Sequence, residues 1–585
     1  MSLFRDLLID RKRRRYYTEV EYMEADGTQY INTGLYGTTQ SEIDIIFGMS
    51  SVESGAANNG AVFGGRTAQT ANTFTMFKLA STTPQYFRFD YNGQKTAATA
   101  SQITWNNTDK YRFQYNGATA TTTNITTGES HSETISPPSS ITTSPITLFA
   151  VNTNGTIGTY FKGRIYRYWY TDGTNTIDLI PVMGWDGKGY MYDKISGRLF
   201  GNAGTGDFGL GREIHYIDYL ENITSQASLN YIPTKYTPTT NTGLEAKVRY
   251  TGGASGATWA VGAVTWWGIH YQGNGPKIGI TNSSTDQYQV YTPYTAGNDI
   301  TLKLDGSNVY ADGTLVGSLT KTNATSTLSI FRYSTSANLS WVGRIYYLDI
   351  WDNNGYVCKF RPAIDSNGTA FLFDQVSHTI FDNAGSGNFL YAPVELEYLV
   401  ANGGQYIDTG IQPTDDWGYH IRNTYTVGSG EQCAIGCMDS GNRFVGIYTS
   451  GYANQLSGAW GSFVRYLDTY TWNTGDILDI KVNYKNSRKM IVGSTELKDL
   501  TDIHISGTIS NTIYLFARNY GSNVTKMNGK IYSVEITNGQ NVVATYVPAF
   551  KDGVAGVLNK SNNTFLTNAG TGTFGYGRII EKKFE

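Results

Sequence analysis

Cysteine is nearly absent: three residues, Cys358, Cys433 and Cys437, occur in 585. An odd count in a long chain excludes a disulfide scaffold, and the i, i+4 pair has no second pair with which to complete a zinc cage. Free thiols are expected. Charge is also sparse, at 16% of residues, and the formal net of −3 gives the body no electrostatic reason to seek nucleic acid. No apolar run approaches the roughly 18 residues needed to cross a bilayer, so no membrane span is expected. The early apolar cluster of Leu3, Phe4, Leu7, Leu8 and Ile9 precedes its basic residues, the reverse of a secretory leader, and no export signal is read. Proline is limited to 13 residues while aromatics reach 14%, which is far from the polar, aromatic-poor composition of a disordered chain.

What the chain has in excess is glycine, 66 residues, and tyrosine, 44, and both recur in register. Gly163-Arg164-Ile165-Tyr166, Gly343-Arg344-Ile345-Tyr346 and Gly529-Lys530-Ile531-Tyr532 are spaced by 180 and 186 residues. Each is followed by a second shared phrase: Asn202-Ala203-Gly204, Asn383-Ala384-Gly385 and Asn568-Ala569-Gly570, running on to Phe208, Phe389 and Phe574. The openings match as well, Gln29-Tyr30-Ile31 with Gln405-Tyr406-Ile407, and Asn230-Tyr231-Ile232 in the middle copy after a four-residue insertion. Self-similarity at this period marks a tandem triplicate. The expected modules are 18–212, 213–393 and 394–585, preceded by an arm of residues 1–17.

Within a module the apolar residues alternate. Ile43, Ile45 and Phe47 share one strand face, and Ile165, Arg167 and Trp169 are read as one face against Tyr166, Tyr168 and Tyr170. Asn92-Gly93, Asn116-Gly117, Asp172-Gly173, Asp305-Gly306, Asp312-Gly313 and Asp552-Gly553 supply hairpin turns between such strands. The expectation is an all-β chain of two-sheet antiparallel sandwiches. A module of about 190 residues buries roughly 70% of its unfolded surface, enough for a core without disulfides.

These residues resemble the concanavalin A-like, laminin G-like jelly-roll modules that recur in phage structural proteins and in surface proteins of gut bacteria. The resemblance covers nearly everything after residue 17. It is carried by the closing stretches, Leu179-Ile180-Pro181-Val182 with Tyr190-Met191-Tyr192-Asp193, Phe360-Arg361-Pro362-Ala363 with Phe371-Leu372-Phe373-Asp374, and Tyr546-Val547-Pro548-Ala549 with Gly556-Val557-Leu558-Asn559. It implies three tandem jelly-roll sandwiches that bind glycans or decorate a virion. The resulting expectation is a phage tail- or head-fibre-like protein, assembled in the host cytoplasm, that displays host-glycan-binding modules and forms a homo-oligomer, with a trimer the common fibre form. The alternative is a decoration or adaptor protein that contacts only neighbouring virion subunits.

Some relatives of the fold are glycoside hydrolases with three carboxylates on alternate positions of one strand. Glu42-Ile43-Asp44-Ile45 starts that pattern, but Ile46 or Phe47 stands where the proton donor belongs. No catalysis is expected. Gly204-Thr205-Gly206-Asp207-Phe208-Gly209 satisfies the dinucleotide fingerprint as text, yet it ends a β-module where the fingerprint needs a helix to open, so a turn is expected. The six histidines are scattered and suggest no zinc site; calcium stays open, because Asp- and Asn-rich loops are plentiful. Sugar binding combines an aromatic platform with a few polar hydrogen bonds. Trp105-Asn106 and Trp472-Asn473 recur between copies and read as structural. Trp266, Trp267, His270 and Tyr271 belong to the middle copy alone and are the expected ligand residues, with Arg66 and Arg443 as further candidates.

The amino-terminal arm differs from the body. Arg11, Lys12, Arg13, Arg14 and Arg15 help to give residues 1–15 a net charge of +4, and Leu3, Phe4, Leu7 and Leu8 fit one face of a short helix. Such a helix is marginal alone. It is read as an anchor that docks into another virion protein.

Overall fold

The computed structural model of the chain describes residues 17–580, apart from 51–58, 70, 80–84, 93, 97–102, 137–141, 225–229, 253–257, 265–266, 273–276, 283–287, 292–293, 334–339, 354, 427–430, 442, 450–454, 463–465, 506 and 522. The chain is all-β: every regular element among the described residues is a strand except one 3-10 turn at Tyr484–Asn486. Each copy is a sandwich of two sheets whose described strands pair antiparallel except Val151–Thr153 on Gly60–Arg66 in the first copy and Ala517–Tyr520 on Gln432–Met438 in the third, with isolated parallel bridges at Ala61 and Tyr160, Trp259 and Ser340, and Gly262 and Tyr333. In the first copy the strands Glu42–Met49, Lys110–Tyr115 and Gly163–Thr171 form the centre of one sheet, and Gly60–Arg66, Phe74–Leu79 and Tyr86–Tyr91 the centre of the other. The inward residues Ile43, Ile45 and Phe47 are buried against Phe63, Phe74, Phe87 and Phe89. Phe47 meets Phe87 edge-on at 5.0 Å, and Phe74 meets Tyr170 at 5.8 Å. Aromatic edges against faces add to the area buried.

The Gly-Arg/Lys-Ile-Tyr repeat has a packing explanation that corrects the strand faces inferred from sequence. Along the central strand Ile165 pairs with Phe47 but Arg167 pairs with Ile46, so Tyr166 is an extra residue in a β-bulge. The bulge reverses the alternation: Ile165, Tyr168 and Tyr170 point into the core, whereas Arg167 and Trp169 point out. The same residue is skipped at Tyr346 and at Tyr532. Each bulged tyrosine meets the ring of an opening tyrosine edge-on, Tyr22, Tyr219 and Tyr398, at 5.5, 5.6 and 5.5 Å. The basic residue of the phrase lies over that opening ring at 4.4, 4.1 and 4.0 Å. Glycine precedes it because a Cβ on Gly343 would sit 1.9 Å from the Arg249 carbonyl oxygen, and one on Gly529 2.2 Å from that of Thr424.

The Asn-Ala-Gly phrase is a clamp. Asn202 accepts the Tyr30 and Gly204 N–H groups and donates to the Gly206 carbonyl, and Asn383 and Asn568 repeat all three bonds. The phenylalanine that follows packs on a second one, Phe208 on Phe149 at 5.2 Å, Phe389 on Phe331 at 4.8 Å and Phe574 on Phe516 at 4.9 Å. These turns tie the end of each sandwich to its beginning, as the turn reading expects.

The chain divides into two compact units, one of Met1–Asp365 with Ala370–Phe389 and one of Ser366–Thr369 with Leu390–Glu585. The first unit holds two copies because Glu213–Tyr216 pairs with Tyr17–Val20 of the first and with Gly355–Ile364 of the second, making one continuous sheet. Lys110 crosses the same junction. Its ammonium donates to the His378 carbonyl at 2.6 Å and the Thr379 hydroxyl at 3.0 Å, and lies 3.6 Å from the Tyr166 ring centre. Burial pushes its pKa down to about 7 against the attraction of Glu21 and Asp374, with Lys235 adding repulsion. Burial likewise pushes the Glu21 carboxyl up. An unfolded lysine titrates near 10.5, so between pH 7 and that value the unfolded chain binds more protons and this group's contribution to stability rises with pH. Below pH 7 the full cost of burying the charge is present. Thermal unfolding from pH 7 to 9 should therefore show a midpoint that rises in the natural chain relative to Lys110→Met; parallel profiles would contradict the assignment.

Candidate functional site

The first copy's sheet presents three rows of outward-facing positions across its three central strands. The register places Arg167, Ile46 and Arg112 in one row, Trp169, Asp44 and Gln114 in the next, and Thr171 and Glu42 in the third, with Asn116, just past the end of its strand, lining the same recess as Glu42. The first row and Asp44 are locked together electrostatically. Arg112 donates to Asp44 through Nε at 2.8 Å, Arg167 donates to Asp178 at 2.9 Å and stands 4.0 Å from Asp44, and Lys194 is 3.3 Å from Asp178. Both guanidinium groups are thereby committed to carboxylates of the protein.

The other groups are uncommitted. Asn116, exposed, uses its carbonyl oxygen to accept the Ala118 and Thr119 N–H groups, and its amide nitrogen makes no hydrogen bond among the described residues. Glu42, Gln114 and Trp169 make no side-chain hydrogen bond among the described residues. Together with Arg167 and Asp44 they line a recess of about 320 Å³ that is open to solvent. The inventory is an indole face, one carboxylate acceptor and two amides. Ile46, 1% exposed, fills the third place of the Glu42, Asp44 strand, so the run ends with two carboxylates, one of them held by arginine.

No protein-family model and no curated protein matches the chain. Solved structures are similar to it. The LG4-5 domains of the mouse laminin alpha1 chain match at 11% identity over 57% of this chain and 89% of that one, with a TM-score of 0.20. The LG1-3 region of the laminin alpha2 chain matches at 8% identity over 89% and 96%, with a TM-score of 0.24. A point mutant of NanB sialidase from Streptococcus pneumoniae matches at 12% identity over 96% and 93%, with a TM-score of 0.18. Superpositions this loose carry no argument about activity.

The middle-copy cluster expected from sequence is largely buried where it is described. Trp266 lies outside the described residues. Trp267 is fully buried, and so are its successors Gly268, Ile269 and His270, because the strand Trp267–Gln272 runs between Thr258–Ala263 and Lys277–Asn282 with both faces covered. The His270 ring lies 5.0 Å from that of Trp259, and burial lowers its pKa to about 4, so it is a neutral core side chain. Tyr271 is half-buried and stacked on Tyr250 at 3.8 Å. A copy-specific aromatic run thus repacks a core.

The two arginines have partners within their own copies. Arg66 ends the strand Gly60–Arg66 and donates to the Thr153 hydroxyl at 2.9 Å, whereas Arg443 opens the following strand of its own copy and is held by Asp439 at 2.8 Å. They occupy different places in their sheets. Trp105 is buried with its indole N–H on the Leu79 carbonyl, and Trp472 is buried against Tyr425, in keeping with structural roles. The arm residues Leu3, Phe4, Leu7, Leu8, Arg11, Lys12, Arg13, Arg14 and Arg15 lie outside the described residues. Among the described residues no three His, Cys, Asp or Glu side chains converge on a metal position. The three cysteines are buried and free.

Sequence reading did not single out Trp169, which lines the recess. A usable signal existed, since the other copies carry Asp349 and Glu535 at its place. It also missed Trp185, 72% exposed in the turn between Gly184 and Gly189. Substitution separates the two kinds of tryptophan. Trp267→Ala should cost about 3–5 kcal/mol by emptying a core position, whereas Trp169→Ala should leave the urea midpoint within about 0.5 kcal/mol of the natural chain. Equal losses in chemical denaturation would show that Trp169 is part of the core.

Proposed function

We propose that the chain is a non-catalytic, carbohydrate-binding adhesion protein whose first module holds a neutral pyranose at Trp169. The observation that carries this reading is the set of uncommitted groups beside that indole: Glu42 to accept from a pair of hydroxyls, and Gln114 and Asn116 to donate to ring or linkage oxygens. Stacking of a sugar's apolar face on an aromatic ring, with a few convergent polar groups, is the usual economy of such sites. The charges around the recess select a neutral ligand. Arg112 and Arg167 are neutralised by Asp44 and Asp178, and the free carboxylate of Glu42 repels an acidic sugar. Single contacts of this kind are weak, about 4 kcal/mol at millimolar affinity, so adhesion needs linked sites. Tandem modules in an oligomer supply them.

In this reading the protein is a phage virion appendage, anchored to other virion proteins by its basic, apolar-faced arm and displaying its modules toward host glycans. The tandem repeat and the +4 charge of residues 1–15 support it. The second reading is a decoration protein that contacts only its virion neighbours, with the exposed Trp185 as an interface anchor. A glycan array separates them. The adhesion reading expects saturable binding of neutral glycans, lost at least tenfold in Trp169→Ala and weakened in Glu42→Gln. An array with no binding, together with stoichiometric attachment to virion subunits that Trp185→Ala abolishes, would overturn it in favour of decoration.

A further inference from the structure

The second copy carries a different aromatic site one row along the equivalent sheet. Trp351 pairs across the sheet with Gly243, where the first copy pairs Thr171 with Glu42 and the third pairs Thr537 with Gly418. The glycine is required: a Cβ on Gly243 would lie 2.1 Å from the Trp351 indole nitrogen and 2.2 Å from Cε2, so the ring occupies the space a side chain would fill. Tyr356, 52% exposed, stands edge-on to it at 6.2 Å. An aromatic pair, Trp351 partly buried and Tyr356 half exposed, is thus seated beside Gly243 in this copy alone.

The charges around this pair differ in sign from those of the first copy. The nearby acids are engaged: Asp349 accepts both arms of Arg361, Glu245 accepts the Tyr347 hydroxyl, and Asp305 pairs with Lys303 at 3.1 Å. Lys303 lies 5.6 Å from the Trp351 ring centre and Lys359 lies 3.6 Å from that of Tyr356. Lys359 makes no ion pair among the described residues. The uncommitted charge beside the aromatic platform is therefore an ammonium, where the first copy has the Glu42 carboxylate.

We propose that Trp351, Tyr356 and Lys359 form a second carbohydrate site, selective for an acidic pyranose such as a uronate. The ring stacks on Trp351 and its carboxylate takes a charge-assisted hydrogen bond from Lys359. This inference rests on the reading of the chain as a glycan binder and adds that its first module recognises a neutral sugar and its second an acidic one.

The test uses the full chain with two probes, a fluorescent oligouronide and the same oligomer after reduction of its carboxylates to neutral hydroxymethyl groups. The expected result is at least a tenfold preference for the acidic form. Lys359→Gln removes the preference and Trp351→Ala removes uronide binding, while Trp169→Ala leaves uronide binding unchanged. Thermal midpoints of the two second-copy variants verify folding, and Lys359→Gln, at a surface position, is expected to match the natural chain. Uronide binding that survives both Lys359→Gln and Trp351→Ala, or that disappears in Trp169→Ala, overturns the proposal. Binding of neutral glycans through Trp169 with no uronide binding defeats this proposal alone, whereas failure to bind any glycan defeats the adhesion reading as well.

Discussion

Closing two sheets face to face forces one side of every central strand to be apolar, and that constraint decides what the other side is free to become. In the first copy Ile43, Ile45 and Phe47 are fixed by their burial against the phenylalanines of the facing sheet. A slip of one residue would expose all three and bury Glu42 and Asp44, at a cost of several buried side chains worth about 1.5–3 kcal/mol each. Register is thereby set by the core. The outward places of the same strand inherit a fixed address without contributing to that choice, and the rows that hold Trp169, Asp44 and Gln114 follow from it.

Three copies of one fold in one chain act as controls for one another. What all three share is explained by closure: the glycine beneath a facing carbonyl, the bulged tyrosine on its opening partner, and the asparagine clamp. What differs lies largely on the outward rows, where the middle place of the Gly163–Thr171 strand is Trp169, Asp349 or Glu535. The third copy shows that these places can also turn inward-looking. Glu535 is buried, accepts the Tyr484 hydroxyl at 2.6 Å and is pushed up in pKa by its burial, while His420 beside it pairs with Asp479 at 2.7 Å. The same lattice address thus serves an open recess in one copy and a sealed polar network in another.

The fold was legible because its signals are periodic. Alternation, Asn-Gly and Asp-Gly turns and the recurring phrases all report backbone requirements; the turns at Gly117, Gly173, Gly306, Gly313 and Gly553 take the positive φ expected of them, and alternation holds along Ile43, Ile45 and Phe47. The site was less legible, for two physical reasons. A single bulge at Tyr166 reverses the parity of the strand, so Trp169 was assigned to the same face as Ile165 when it lies on the opposite one. Copy-specific aromatics also have two possible fates. Trp267 and His270 sit on a strand covered on both faces, where sequence shows the same aromatic, Gly-rich texture as an exposed binding edge. Only the neighbouring strands distinguish them.

The central claim, that core closure leaves Trp169 outward while it buries Trp259, Trp267 and Trp341 of the middle copy, can be read directly by oxidative footprinting of the folded chain with mass spectrometry of each tryptophan. The account predicts rapid oxidation at Trp185 and Trp169 and protection of Trp259, Trp267 and Trp341, all three fully buried. Protection of Trp169 equal to theirs, or oxidation of Trp267 at the rate of Trp185, would contradict it.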